Sequence, residues 1–139
     1  MKIFLHYIGK ARDAHANAMA AEYVKRTSRY TRCEMREIDP RRFDVWAKYS
    51  SSMKILLDPA GRVVDSAGFH ELVRTAQREA RDLVFVIGGA SGLPDDWRER
   101  ADLLLSLTPL TLPHELARVI LAEQIYRALA TASGHPYAR

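Results

Sequence analysis

Apolar residues gather in five short runs along the chain, and the stretches between them carry helical spacing or turn residues. "KIFLHYIG" (2–9) is apolar and ends at a glycine, the pattern of a strand. "DAHANAMAAEYVKRTSRY" (13–30) is alanine-rich, with Asp13 placed to cap it, and predicts a helix. "CEMREID" (33–39) sets Cys33, Met35 and Glu37 against Glu34, Arg36 and Ile38, then stops at Pro40, as a strand does. "RRFDVWAKYSSS" reads as a linker or one to three helical turns. "MKILLD" (53–58) predicts a buried strand closed by a turn at "DPAGR", and "SAGFHELVRTAQREA" (66–80) puts Phe69, Leu72, Val73 and Ala76 at helical spacing. "DLVFVIGG" (82–89) is continuously apolar, as a strand covered on both faces should be. "LPDDWRERA" opens a helix with Pro94 and acidic residues at its positive end. "DLLLSL" (102–107) is the last strand, and a long apolar helix follows from His114. Strands alternating with helices predict an α/β domain with a mostly parallel sheet.

That last helix is apolar almost all the way round. At 100° per residue its apolar stripe changes face midway, from Leu116, Val119 and Ile120 to Ile125, Ala128 and Leu129. One stripe serves one core, so two ask for a second partner. A second copy of the chain is the simplest one; burial within one sheet is the alternative.

Composition narrows the class without deciding it. The 139 residues suit a single domain over 1–139, and 47% hydrophobic with 27% charged is ordinary for a folded protein. Cys33 is the only cysteine, which excludes an intramolecular disulfide and a cysteine-rich metal site. "MKIFLHYIGK" begins like a signal peptide, but His6 interrupts its short apolar run, and no apolar run is long enough to span a membrane. A cytoplasmic protein with no membrane partner is expected. The net charge of +4 is uneven: residues 1–50 hold 11 Lys/Arg against 6 Asp/Glu. Lys25, Arg26, Arg29, Arg32, Arg36, Arg41 and Arg42 crowd one segment, with Tyr23 and Tyr30 among them. Such a patch can track a phosphate backbone, or be a solvated helix face followed by a charge-protected edge strand.

Two loops carry candidate chemistry. "VFVIGGASGL" is glycine-rich at the carboxyl end of a buried strand, where ligands bind in open α/β sheets. It lacks both the dinucleotide pattern G-x-G-x-x-G and a Walker lysine, which leaves a nucleotide-like ligand held mainly by main chain, or a plain turn. "HELAR" (114–118) has Arg118 where a zinc helix needs its second histidine, so no metal is expected. "SLTPLTLP" has no charge and is stiffened by Pro109 and Pro113; it is either a tight crossover or an apolar pocket able to take an adenine ring.

Together "ILLDPAG", "VFVIGGASGL", "LSLTPLTLPHELARVILAEQIYRA" and "GHPYAR", with the N-terminal "IGKARD", "EYVKR" and "RY", make the chain resemble the RlmH family over nearly its whole length. Those are SPOUT-class methyltransferases that methylate N3 of a pseudouridine in large-subunit (23S) ribosomal RNA. The resemblance implies a C-terminal trefoil knot, a homodimer, S-adenosylmethionine as cofactor and ribosomal RNA, on the assembled ribosome, as partner. By position it implies cofactor contacts at Leu57, Gly89, Thr108, Pro109, Leu110, Thr111, Leu112 and Pro113. Two departures stand out. The stretch between Pro40 and Met53 is shorter than usual for the family, and Ala138 replaces the histidine of the family's usual ending "HPYHR".

A methyl sulfonium is already a strong electrophile, so the protein has mainly to position it and manage one imide proton. The candidates that follow are His114, Arg118, His135, Tyr137 and Arg139. Arg139 would hold phosphate or steady the anion, and His135 or His114 would take the proton. Against these stand structural roles: Arg118 paired with Glu115, His114 capping the helix, and the tail clipping a dimer. Rival functions are a knotted methyltransferase acting on transfer RNA, a non-enzymatic RNA-binding or ribosome-assembly dimer, and a small nucleotide-sensing regulator.

Overall fold

The five apolar runs form strands β1 (Ile3–Ile8), β2 (Cys33–Ile38), β3 (Met53–Val63), β4 (Leu83–Ile87) and β5 (Leu103–Ser106) of one parallel sheet, ordered β2-β1-β4-β3-β5, in the computed structural model of the chain, which describes residues 1–138. Helices α1 (Ala14–Thr27), α2 (Val45–Lys48), α3 (Ser66–Arg78), α4 (Asp95–Arg100) and α5 (His114–Ala132) connect and cover them, and Pro136–Ala138 forms a closing 3-10 turn. Side chains alternate across the sheet, and each set meets its own helices. Ile3, Leu5, Ile55, Phe85 and Leu105 pack with Ala20 of α1, Phe69 and Val73 of α3, and Leu121 and Ile125 of α5. Phe4, Ile38, Leu56, Val84 and Val86 pack on the other face with Val45 of α2 and Trp97 of α4.

The connections keep one hand. Crossovers towards the β2 edge (β1 to β2, β3 to β4) carry α1 and α3 on one face, while those towards the β5 edge (β2 to β3, β4 to β5) carry α2 and α4 on the other. That is the single handedness parallel crossovers demand. Local signals act as read from the sequence: the Asp13 carboxylate accepts from the N–H groups of His15 and Ala16, and Asp44 caps α2 in the same way. The shortened stretch after Pro40 thus makes one helical turn. Trp46 in it stands edge-on to Trp97 at 5.2 Å and donates from Nε1 to the Arg100 carbonyl at 3.0 Å.

One expectation changes. "DPAGR" is no turn: β3 bulges between Leu57 and Arg62, and Arg62 and Val63 then pair with Leu105 and Ser106. Pro59 sits in the bulge, where the ladder needs no N–H, and the Asp58 carboxylate accepts from the Ala60 N–H at 2.8 Å. The apolar girth of α5 is taken up largely within the chain. The helix lies over the sheet and packs against α1 and α3, burying Val119, Leu121, Ala122, Ile125, Tyr126, Ala128, Leu129 and Ala130. Of the first stripe read from the sequence, Val119 is buried, Ile120 is half-buried and Leu116 is 45% exposed.

Cys33 and His6 are among the titratable side chains buried in the sheet. The Cys33 thiol is pushed up to about 12 by burial and by Glu34, so it stays protonated and is no nucleophile. His6 is fully buried between Phe4, Phe43 and Tyr49, with Nε2 2.9 Å from the Tyr49 hydroxyl and Nδ1 unpartnered. Burial first, then the Arg36 charge, lowers its pKa from 6.5 to about 4, against weaker opposing contributions from the Arg36 backbone and Glu34. The unfolded chain therefore takes up this proton first, and stability is lost as pH falls from 6.5 towards 4, by roughly 3 kcal/mol through His6. Urea midpoints at pH 7 and 4.5 should show that loss in the parent and a smaller one in His6→Phe. Parallel losses in both chains would assign the acid sensitivity elsewhere.

Candidate active site

The carboxyl ends of β3, β4 and β5 and the start of α5 enclose a cleft of about 230 Å³. Its apolar wall comes from Leu57, Ile87, Leu93, Leu105, Leu107 and Leu112. The glycine turn forms another side. A Cβ on Gly88 would lie 2.7 Å from the Gly92 carbonyl carbon, and one on Gly89 would lie 2.8 Å from the Ile8 carbonyl oxygen. No side chain fits at either position, so the main chain itself forms that wall. The turn is closed by the Gly92 N–H on the Gly89 carbonyl at 2.9 Å.

The crossover from Ser106 to Pro113 is braced by its own hydroxyls. Ser106 Oγ donates to the Thr108 carbonyl at 2.9 Å, and Thr108 Oγ1 accepts from the Leu110 N–H at 3.2 Å. Pro113 holds the N-cap position of α5 and offers no capping side chain. Glu115 points away from the cleft and ties α5 to the start of α1, accepting from the N–H groups of Arg12 (3.1 Å) and Asp13 (2.9 Å) and from Asn17 Nδ2 (2.8 Å). The Asp13 N–H, followed by Asn17 and the Arg12 N–H, holds this carboxyl below the usual carboxylate range.

Of the residues expected at the cofactor, Leu57, Gly89, Thr108, Leu110 and Leu112 line the cleft; Pro109, Thr111 and Pro113 belong to the same crossover without lining it. His114 lines it as well. Arg118 does not. Among the described residues it is the largest fully buried side chain, its guanidinium 3.5 Å over the Tyr7 ring and its Nη1 donating to Asn17 Oδ1 at 2.6 Å, while Nε and Nη2 find no partner there. Its partner is therefore Asn17 and not Glu115, and burial works against its charge.

The tail candidates sit elsewhere. α5 has 19 residues, which makes it about 28 Å long, and His135 follows its far end. The Tyr137 hydroxyl donates to Glu123 Oε1 at 3.0 Å and lies 3.4 Å from the Tyr23 hydroxyl, its ring edge-on to Tyr126 at 4.7 Å. Burial, then the hydrogen bonds to Tyr23 and Glu123, raises its pKa, so it remains a neutral donor. Arg139 lies outside the described residues. Sequence reading missed two charged residues of the cleft, Asp58 and Arg98. They are forty positions apart, and no local motif links them.

The basic segment is partly neutralised where it stands. Arg26 pairs with Glu22, Arg32 with Glu34, and Arg41 and Arg42 with Asp39. Lys25, Arg29 and Arg36 have no ion pair among the described residues. Among the described residues no three His, Cys, Asp or Glu side chains gather as a metal ion would need, and no helix is long and apolar enough to cross a membrane.

The family model described as "Predicted SPOUT methyltransferase" matches residues 1–138. A ribosomal RNA large subunit methyltransferase H from Solibacter usitatus is 56% identical over 139 residues, covering 100% of both chains. The chain belongs to the SPOUT methyltransferases of the RlmH family. That relative matches end to end over 139 residues, so this chain's short length is shared with it. Solved structures share the fold. A probable methyltransferase from Bordetella pertussis Tohama I gives a TM-score of 0.60 at 13% identity, covering 92% of this chain and 96% of that one. The S-adenosylmethionine-bound rRNA methyltransferase from Sinorhizobium meliloti gives 0.53 at 12% identity, covering 91% of this chain and 56% of that one.

Proposed function

We propose that this RlmH-family chain transfers a methyl group from S-adenosylmethionine to N3 of a pseudouridine in large-subunit ribosomal RNA, working in the cytoplasm on the assembled ribosome. The observation that carries this reading is the cleft, walled by main chain at Gly88 and Gly89 and by the uncharged, proline-flanked crossover. These residues fit an adenosine-type ligand: the leucine walls suit a flat ring, and backbone N–H and C=O groups suit its amide-like edge. Leu57, Gly89 and the run from Thr108 to Pro113 would hold it, with the crossover forming part of a trefoil knot.

The bound cofactor supplies an electrophilic methyl group. The chain's own task is geometry and one proton. His114, which lines the cleft, would receive the imide proton directly or through a water. Arg118 acts as a positioning residue, fixing α5 to β1 and α1 through Tyr7 and Asn17. His135, Tyr137 and Arg139 would serve the site from a second copy of the chain, in a homodimer. The exposed Leu116 and half-buried Ile120 on the outer side of α5 support that pairing, as does the groove of about 200 Å³ that Ile120 and Gln124 form with Val64, Phe69 and Leu107.

The experiment is mass spectrometry of ribosomal RNA after incubation with labelled cofactor, with ribosomal subunits, whole ribosomes and transfer RNA as parallel acceptors. One labelled pseudouridine in large-subunit RNA is expected. Label in transfer RNA alone would move the chain to the rival substrate, and no label anywhere would leave an RNA-binding dimer.

The basic first half would grip RNA phosphates. Because Glu22 already holds Arg26 and Arg29 is without an ion pair, Arg29→Ala is expected to weaken RNA binding more than Arg26→Ala. Each loss should flatten the dependence of affinity on salt, by up to about one unit of slope, and leave cofactor affinity unchanged. Equal loss of cofactor binding would show that the patch is not an RNA grip.

A further inference from the structure

The cleft carries an ion pair that the main-chain reading leaves unused. Arg98 on α4 and Asp58 in the β3 bulge both line it, and Arg98 Nε stands 2.8 Å from Asp58 Oδ2. The Asp58 side chain is 5% exposed, with its other oxygen on the Ala60 N–H, whereas the Arg98 side chain is 48% exposed. The guanidinium lies against the glycine turn, its Nη2 3.9 Å from where a Gly92 Cβ would stand. Asp58 thus holds the guanidinium from below, through Nε, and the terminal nitrogens have no partner among the described residues.

Besides these two, the lining holds no ionisable side chain but His114. A cofactor whose adenosine end sits among leucines and backbone must still place an α-amino-acid end with a carboxylate. A carboxylate drawn from water without a donor is strongly disfavoured, so it should go to a fixed cation. Arg98 is such a cation, and its ion pair with Asp58 already restricts it, which lowers the ordering cost of binding.

We propose that Arg98, held at the rim of the cleft by Asp58, binds the carboxylate of the cofactor's amino-acid end. This rests on the cleft being the cofactor site. The bland competitor is that the pair only clips α4 to β3, in which case its loss would disturb every ligand alike.

The test is calorimetry on the full chain with two ligands: S-adenosylhomocysteine, and its decarboxylated analogue, which keeps the amine. The parent should bind the first about tenfold more tightly, the scale of a charge-assisted hydrogen bond to a half-exposed arginine. Arg98→Gln should lower affinity for S-adenosylhomocysteine by about tenfold, leave the analogue unchanged and so close the gap, with Arg98→Lys recovering part of it. Unchanged binding of the analogue also reports that the variant is folded. Equal weakening of both ligands, or a gap that persists in Arg98→Gln, overturns the proposal. A parent chain that binds neither ligand, or binds both regardless of Gly88→Ala, overturns the cleft assignment itself and this proposal with it.

Discussion

Gly88→Ala is expected to lose binding of S-adenosylmethionine by about a hundredfold while the chain still folds. The added methyl would stand 2.7 Å from the Gly92 carbonyl carbon, 2.9 Å from the Leu93 nitrogen and 3.0 Å from the Gly92 Cα. All three are backbone atoms, so no flexible side chain can swing aside. The Gly92–Leu93 segment must move outwards, at a cost of about 1–3 kcal/mol in stability, the usual scale of overpacking. That segment is one wall of the cleft, and a ligand held by main chain is sensitive to displacements well under an ångström. Gly134→Ala is the control. Gly134 has φ +75° with nothing within 4 Å of the added methyl, so alanine there costs about 1–2 kcal/mol of backbone strain. It lies beyond the far end of α5 and should leave cofactor affinity alone. Calorimetry paired with thermal melts separates the two effects. A folded Gly88→Ala chain that binds cofactor like the parent would place the cofactor elsewhere.

The layered fold was legible because its signals are local and repeated. Apolar runs, the Asp13 cap and the closing Pro40 each act within a few residues, and all five strands appear where those signals stand. Three features resisted, each for a non-local reason. The bulge in β3 looks like a turn because Asp-Pro-Ala-Gly is turn chemistry; only β5, pairing beyond it, makes it a strand. How much of the apolar circumference of α5 is covered within the chain was not legible, because α1 and α3 come to flank it only in the fold. Asp58 and Arg98 meet only because β3 and α4 converge at the carboxyl end of the sheet. The candidate site was legible where its chemistry is main-chain chemistry, since glycine and proline advertise backbone geometry directly. It was not legible where a single arginine, one of many, gains meaning from a buried carboxylate beneath it.

The separation of His114 from the tail predicts a second large effect. Within one chain, α5 carries the sequence from His114 at the cleft to His135 about 28 Å along its axis, while the Tyr137 hydroxyl is engaged by Glu123 and Tyr23 of the same chain. If both groups serve one reaction, they belong to different copies related by a two-fold axis. His114→Ala and Arg139→Ala should each lower turnover by about a hundredfold or more, the scale of losing an acid–base or anion-stabilising group. Co-expressed, the two variants form mixed dimers in which one of the two sites pairs an intact cleft with an intact tail. Random pairing makes about half of the dimers mixed, so about a quarter of parental activity should return. Each variant alone recovers nothing, which excludes simple dilution. The count of mixed dimers comes from native mass spectrometry, and the activity from methyl incorporation into ribosomal RNA. Mixed dimers that form without any return of activity would mean that the tail serves its own chain or none, and the two-copy site would have to be abandoned.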